Sequence, residues 1–202
     1  MIKKAFITGI TGMVGSHLLD YLISNTNWEI HGLLRWRSPI TNISHYVKQI
    51  NNEERVFLHY GDITDYSSLE KIFKKINFDY VFHLAAQSYP KTSFDAPVDT
   101  YQTNVIGTEN VLKACLTFCP EATIHNCSSS EVFGRVPKEF VPITEDAPFH
   151  PASPYAISKC TADLIGRFYV VFRPKSHAGQ TFSNFSPSRK FFRRPKIFSK
   201  FS

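Results

Sequence analysis

Apolar positions along the chain alternate between two periods. Lys4 to Thr8 is a short apolar run, and Ser16 to Ser24 follows with Leu18, Leu19, Leu22 and Ile23 at helical spacing. Trp28 to Leu34 and Arg55 to Tyr60 read as the second and third strands. Ser67-Ser68-Leu69-Glu70 has the form of a capping box, opening a helix that buries Leu69, Ile72, Phe73 and Ile76. Asp79 to Ala86 is apolar almost throughout, as expected of a strand covered on both faces. A long helix is predicted from about Thr100 to Phe118, then a fifth strand over Ala122 to Ser128. Ser153 caps a last helix with Pro154 at its first position, where a missing N–H costs nothing. Strand–helix units of this length imply parallel strands and right-handed crossovers, hence an α/β fold with a doubly wound sheet.

The pattern holds over residues 1–169, which predicts one dinucleotide-binding domain. It breaks after Tyr169. Residues 170–202 contain seven Phe and many Ser, with no helical or strand period. The run Arg189-Lys190-Phe191-Phe192-Arg193-Arg194-Pro195-Lys196 has the look of a basic-aromatic patch for nucleic acid or membrane. The plainer readings are a disordered tail, or a non-native end left by truncation or an out-of-frame translation of a second domain.

Charge sharpens that division. The net charge of +6 hides a tail with eight Lys/Arg and no acid, which leaves 15 Lys/Arg against 17 Asp/Glu in residues 1–169. The folded part therefore carries no electrostatic reason to expect nucleic acid. A composition 43% hydrophobic and 14% aromatic suits a globular chain. No apolar run reaches the roughly 18 residues of a membrane helix, so no membrane partner is expected and the soluble cytoplasm is the expected location. The cysteines, Cys115, Cys119, Cys127 and Cys160, fit no zinc spacing; they read as reduced, small core residues, and no metal is expected.

Several segments carry candidate chemistry. Between the first strand and its helix lies Thr8-Gly9-Ile10-Thr11-Gly12-Met13-Val14-Gly15. Gly9 permits a tight turn, Gly12 lets backbone approach a pyrophosphate, and Gly15 lets the helix pack closely on the sheet, its first amides aimed at phosphate. Thr11, Met13 and Val14 complete that cradle. Strand two ends in Leu34-Arg35-Trp36-Arg37 with no carboxylate to hold the ribose of NAD. Arg35, with Arg37, suits the 2′-phosphate of NADP instead, the alternative being solvated surface arginines. Asp62 and Ile63 after strand three, and Leu84, Ala85, Ala86 and Ser88 after strand four, fall on the same carboxyl edge. His83 reads as a satisfied core histidine. Tyr155 and Lys159 stand four apart, so on a helix they share a face, and an adjacent ammonium favours phenolate over a reference pKa of about 10. Ser128-Ser129-Ser130-Glu131 leaves strand five on that edge too. A serine hydroxyl there can bridge Tyr155 to a substrate oxygen, and Glu131 is a candidate base, or simply a loop acid.

These stretches resemble the GDP-mannose 4,6-dehydratases, extended short-chain dehydrogenases/reductases with a Rossmann-like sheet. The resemblance rests on Ile7-Thr8-Gly9-Ile10-Thr11-Gly12, His59-Tyr60-Gly61-Asp62-Ile63-Thr64-Asp65, Leu84-Ala85-Ala86-Gln87-Ser88, Ser129-Ser130-Glu131-Val132-Phe133-Gly134 and Pro148-Phe149-His150-Pro151-Ala152-Ser153-Pro154-Tyr155. It implies a lyase that converts GDP-mannose to its 4-keto-6-deoxy product through transient hydride transfer to NADP, with NAD the less favoured cofactor. In that cycle Tyr155, with Ser129 and Lys159, takes the C4 hydroxyl proton, and Glu131 takes the C5 proton as water leaves C6. Trp36 departs from the family's Arg-Arg pair, and Ser129 stands where many relatives have threonine. Such enzymes continue well past residue 202 with a domain that grips the nucleotide, and a homo-oligomer is expected of the full-length form. Without that domain an exposed sheet edge and poor solubility are expected. Two other functions share the glycine turn and the Tyr/Lys pair: a nucleotide-sugar 4-epimerase or 4-reductase, and an inactive cofactor-binding fragment.

Overall fold

Five strands, β1 (Lys4–Thr8), β2 (Glu29–Leu34), β3 (Val56–Tyr60), β4 (Tyr80–His83) and β5 (Thr123–Asn126), form one parallel sheet in the order β3-β2-β1-β4-β5. The computed structural model describes residues 2–144 and 147–171; the expectations for residues 172–202 lie outside the described residues. Side chains alternate across the sheet because strand periodicity is two. Ala5 and Ile7 enter one apolar cluster with Leu19 and Leu22 of helix α1 (Met13–Asn25), whereas Phe6 enters the other. That second cluster joins Leu69, Ile72 and Phe73 of α3 (Tyr66–Phe73) to Val111, Leu112 and Cys115 of α6 (Gly107–Phe118), with Ile165 and Tyr169 of α7 (Pro154–Val171) against it. At its centre the rings of Phe6, Phe73 and Phe78 meet at centroid separations of 5.0–5.1 Å, each such pair adding about 0.5–1.5 kcal/mol beyond its buried area.

Several boundaries move from those predicted, each for a local reason. The α3 helix is capped by Asp65, not Ser67: the Asp65 carboxylate accepts the Ser67 amide at 2.9 Å and the Ser67 hydroxyl at 2.8 Å. Strand β4 ends at His83 instead of Ala86, because the amides of Leu84 and Ala85 turn to bond the Thr8 hydroxyl. Between strands β2 and β3 a 3-10 turn (Thr41–Tyr46) and a short helix α2 (Val47–Asn51) fill a stretch read as loop, with Ile43 and Tyr46 buried.

The largest difference is the helix predicted over residues 100–118. After the short helices α4 (Thr92–Asp95) and α5 (Pro97–Tyr101), the chain makes a π segment, Gln102–Ile106, before α6 begins. Asn104 lies at its centre with its side chain bonded to both backbone groups of Gln87, N–H to Oδ1 at 2.8 Å and Nδ2 to carbonyl at 3.0 Å. Gly107 lets the widened helix sit on Ile63, whose Cδ1 would be 2.5 Å from a Cβ there. Insertions of this kind recur at functional sites.

His31 on β2 is buried, stacked on Phe57 with its Nδ1 3.0 Å from His59 Nε2. Burial foremost, then the neighbouring His59, push its pKa down to about 4. The unfolded chain therefore takes up a proton below about pH 6.5 that the folded chain refuses until about pH 4, so stability falls across that window. His31 Nε2 makes no hydrogen bond, so a phenyl ring there costs only the partner of His59 Nε2. Denaturant midpoints measured from pH 7 to 4 are expected to fall less steeply for His31→Phe than for the wild-type chain.

Candidate active site

The carboxyl ends of the five strands open on a cavity of about 750 Å³. Its position follows from topology: the chain leaves β1 toward β2 on one side, while β4 lies on the other, so a crevice must open above β1. The turn after β1 forms its floor, and Gly9, Thr11, Gly12, Met13, Val14 and Gly15 all line it.

Each glycine of that turn has a different reason to be there. Gly9 sits at φ +72°, and a Cβ on it would lie 2.9 Å from the Ala85 amide nitrogen. Gly12 caps α1 without any side chain, and its own amide bonds the Gly9 carbonyl at 3.0 Å. The first turn of α1 carries no acid, so the positive end of its dipole faces the cavity. Gly15 was expected to ease packing of the helix on the sheet. Its missing Cβ instead clears the turn itself, 2.2 Å from the Gly9 oxygen and 2.8 Å from Ile10 Cα. These are properties of a pyrophosphate cradle: a tight glycine turn and the start of a helix on the cavity wall, with no acid in the helix's first turn.

The flanks carry most of the other predicted residues. Arg35, Asp62 and Ile63 line the cavity beside β2 and β3, and Leu84, Ala85, Ala86 and Ser88 line it beyond β4. Arg37 is not among its walls. Trp36 stands outside as well, 79% exposed, its indole edge-on to Tyr60 at 5.2 Å.

Tyr155 and Lys159 lie on the first turns of α7, both buried and both facing the cavity. Ser153 accepts the Ala156 amide at 3.0 Å and fixes where that helix starts, as its sequence suggested. The Lys159 ammonium donates to the Cys127 carbonyl at 3.0 Å, at the end of β5. Burial pushes the Lys159 pKa down, with Cys127 pulling weakly the other way. The strand-five serines divide: Ser128 lines the cavity, whereas Ser129 and Glu131 do not. Ser129 caps a 3-10 turn, Ser130–Phe133, its hydroxyl accepting the Glu131 amide at 3.2 Å, and the Glu131 side chain is exposed.

Sequence reasoning missed two parts of the wall and one residue behind it. Cys127 is not a core residue: it is half-buried and lines the cavity beside Lys159, while Cys115, Cys119 and Cys160 are buried as expected. Asp99, Gln102 and Thr103 reach the cavity from α5 and the π segment, where no motif marks them. Ser93 of α4, wholly buried, accepts the Tyr155 amide at 3.1 Å and so holds the tyrosine's backbone. Among the described residues no cluster of His, Cys, Asp and Glu is fit to hold a metal, and no helix is long and apolar enough to cross a membrane.

Comparison with known proteins gives this site a family. A model of the GDP-mannose 4,6-dehydratase family matches residues 6–201, nearly the whole chain. The chain belongs to the GDP-mannose 4,6-dehydratase family. The match runs on through residues 170–201, where the sequence reading found no resemblance. GDP-mannose 4,6-dehydratase from Vibrio cholerae is 39% identical over 166 residues, spanning 79% of this chain and 43% of that enzyme. The Arabidopsis thaliana relative is 40% identical over 168 residues, or 79% and 44% of the two chains. This member thus spans less than half the length of those relatives. Among solved structures, the dTDP-glucose 4,6-dehydratase of Streptomyces venezuelae with NAD bound aligns at a TM-score of 0.73 and 27% identity, covering 84% of this chain and 52% of that one. UDP-glucose 4-epimerase from Thermotoga maritima aligns at 0.72 with 26% identity and the same coverage.

Gly15→Ala places a methyl group against backbone that cannot yield, and is expected to cost about 1–3 kcal/mol in urea denaturation. Gly12→Ala, whose Cβ would meet the same oxygen at 3.2 Å, is expected to cost less in the same measurement.

Proposed function

We propose that this chain carries the dinucleotide-binding and proton-transfer half of a GDP-mannose 4,6-dehydratase, using NADP. The observation that carries the reading is one cavity lined both by the glycine turn and by the Tyr155/Lys159 pair. The glycine turn fits a pyrophosphate because its backbone lines the cavity, in a tight turn that a Cβ at Gly9 or Gly15 would break by clashing with neighbouring backbone. Arg35 on the wall, with no carboxylate among the residues that end β2, supports a 2′-phosphate and so NADP over NAD.

A bound nicotinamide dinucleotide supplies the acceptor, and later the donor, of a single hydride. The chain's own residues move the protons. Tyr155 takes the proton of the sugar's C4 hydroxyl, and Lys159, anchored on Cys127, keeps a cation beside the phenolate that results. The Ser129 hydroxyl orients that C4 oxygen once it turns from its cap on the Glu131 amide toward the cavity, whose wall it does not line here. The resulting 4-ketone acidifies C5. Glu131, at the start of the next turn, removes the C5 proton as water departs from C6.

Glu131 lies off the cavity wall, and that observation favours a second reading: a nucleotide-sugar 4-epimerase or 4-reductase, in which no C5 base is needed. Incubation of the chain with GDP-mannose and NADP in deuterated water separates them. Deuterium at C5 and a 4-keto-6-deoxy product are expected for the dehydratase; a 4-epimer without C5 exchange overturns it. Cofactor binding with no turnover identifies a fragment that binds but does not react. Where turnover is seen, Tyr155→Phe is expected to slow it by about 10²–10⁴-fold. Arg35→Ala is expected to weaken NADPH binding by roughly 10–100-fold, the worth of a charge-assisted bond, with NADH binding little changed by the same titration.

A further inference from the structure

Six buried polar groups run through the core between the glycine turn and Tyr155, and their hydrogens can be assigned. Thr8, His83, Thr108, Asn104, Ser158 and Tyr155 are each no more than 8% exposed. The Thr108 hydroxyl lies 2.6 Å from the Asn104 carbonyl, which has no hydrogen to give, so Thr108 donates there. Its single hydrogen is then used, and His83 Nε2, 3.0 Å from the same oxygen, must be the donor to it. The Thr8 oxygen already accepts the Leu84 and Ala85 amides at 3.1 Å, and its hydrogen points at His83 Nδ1, 2.8 Å away. His83 is thereby fixed as the neutral Nε2–H tautomer. Burial pushes its pKa down to about 3, with Lys159 and His125 adding to the effect. Beyond the π segment, Asn104 Nδ2 donates to the Ser158 hydroxyl at 2.9 Å, and Ser158 donates to the Tyr155 carbonyl at 2.6 Å.

Every hydroxyl and ring hydrogen in this chain therefore points the same way, from the glycine turn to the tyrosine. The Tyr155 peptide is held on its other side too, its amide on Ser93, which donates to the Pro90 carbonyl at 2.6 Å. Ser93, and Asn104 that holds Ser158, both come from the connection that follows β4. Asn104 also fixes Gln87, three residues past Leu84, so the wall residues Ala85 and Ala86 are tied to the same line.

Resting on the dinucleotide reading above, we propose that His83 and Thr108 are positioning residues, which set the separation between the pyrophosphate cradle and the Tyr155/Lys159 pair so that one dinucleotide spans both. Neither side chain lines the cavity; they act through Thr8 at one end and Ser158 at the other. A broken line leaves the adenosine end of the site intact and loosens only the end that meets the nicotinamide half.

The test compares two ligands on the full chain, by fluorescence or calorimetric titration: NADPH, which spans the whole cavity, and 2′,5′-ADP, which occupies only the adenosine end. Thr108→Val and Ser158→Ala are each expected to weaken NADPH by roughly tenfold, the size of one lost internal hydrogen bond, while 2′,5′-ADP binding stays within about twofold. Thr108→Ser, which keeps the hydroxyl, is expected to restore NADPH binding. Loss of both ligands in parallel means a merely structural role, and unchanged NADPH binding in both variants means no role; either overturns the proposal. If Thr108→Val does not fold, Ser158→Ala and the ring nitrogens of wild-type His83 decide: ¹⁵N shifts must show Nε2 protonated and Nδ1 bare, and the reverse tautomer breaks the line. A wild-type chain that binds neither ligand sinks the dinucleotide reading itself, a result distinct from all of these.

Discussion

The backbone of Gly9 and that of Ala85 approach so closely that no side chain fits between them, and the carboxyl edge of the sheet is arranged around that contact. It lets the end of β1 turn away while β4 stays alongside, which opens the crevice above the sheet. The same approach brings the Thr8 hydroxyl under the Leu84 and Ala85 amides, so β4 is released from its ladder after only four residues. A bulkier residue at position 9 would break the tight turn, the strand ending and the wall of the cavity together.

What surrounds that contact is electrostatically one-sided. Lys159 is buried on a backbone carbonyl and lies close enough to His83 to lower the imidazole's affinity for a proton. Among the described residues the carboxylates on the cavity wall are Asp62 and Asp99, and neither is recorded as an ion-pair partner of Lys159. A buried ammonium without a carboxylate partner is costly, and it is the kind of group a bound anion or a phenolate relieves.

The strands and the glycine turn were legible because their signals are local. A short apolar run reads the same in any context, and three glycines at every third position from strand end into helix leave few alternatives. Tyr155 and Lys159 were legible because a helical i, i+4 pair shares a face whatever packs on it. The π segment was not, since one extra residue in a turn barely disturbs helical periodicity; its cause is the Asn104 side chain reaching Gln87, a contact 17 residues away. Ser93 and the wall residues Asp99 and Gln102 were hidden for the same reason. Cys127 was misplaced because small thiols suit cores and cavity walls equally. The capping box failed on a competition between neighbours: Asp65 offers a charged acceptor two residues ahead of Ser67 and wins the cap.

Thr8 and His83 are 75 residues apart in sequence. On a ribosome adding about 5–20 residues each second, on the order of ten seconds separates their emergence. During that interval β1 can pair only with β2, itself backed by β3, leaving its other edge, and the turn above it, unbraced. The glycine turn is thus made well before the strand that locks it. A nascent chain held at that stage presents a bare strand edge, which is where chaperones, or a second copy of the same chain, would first take hold.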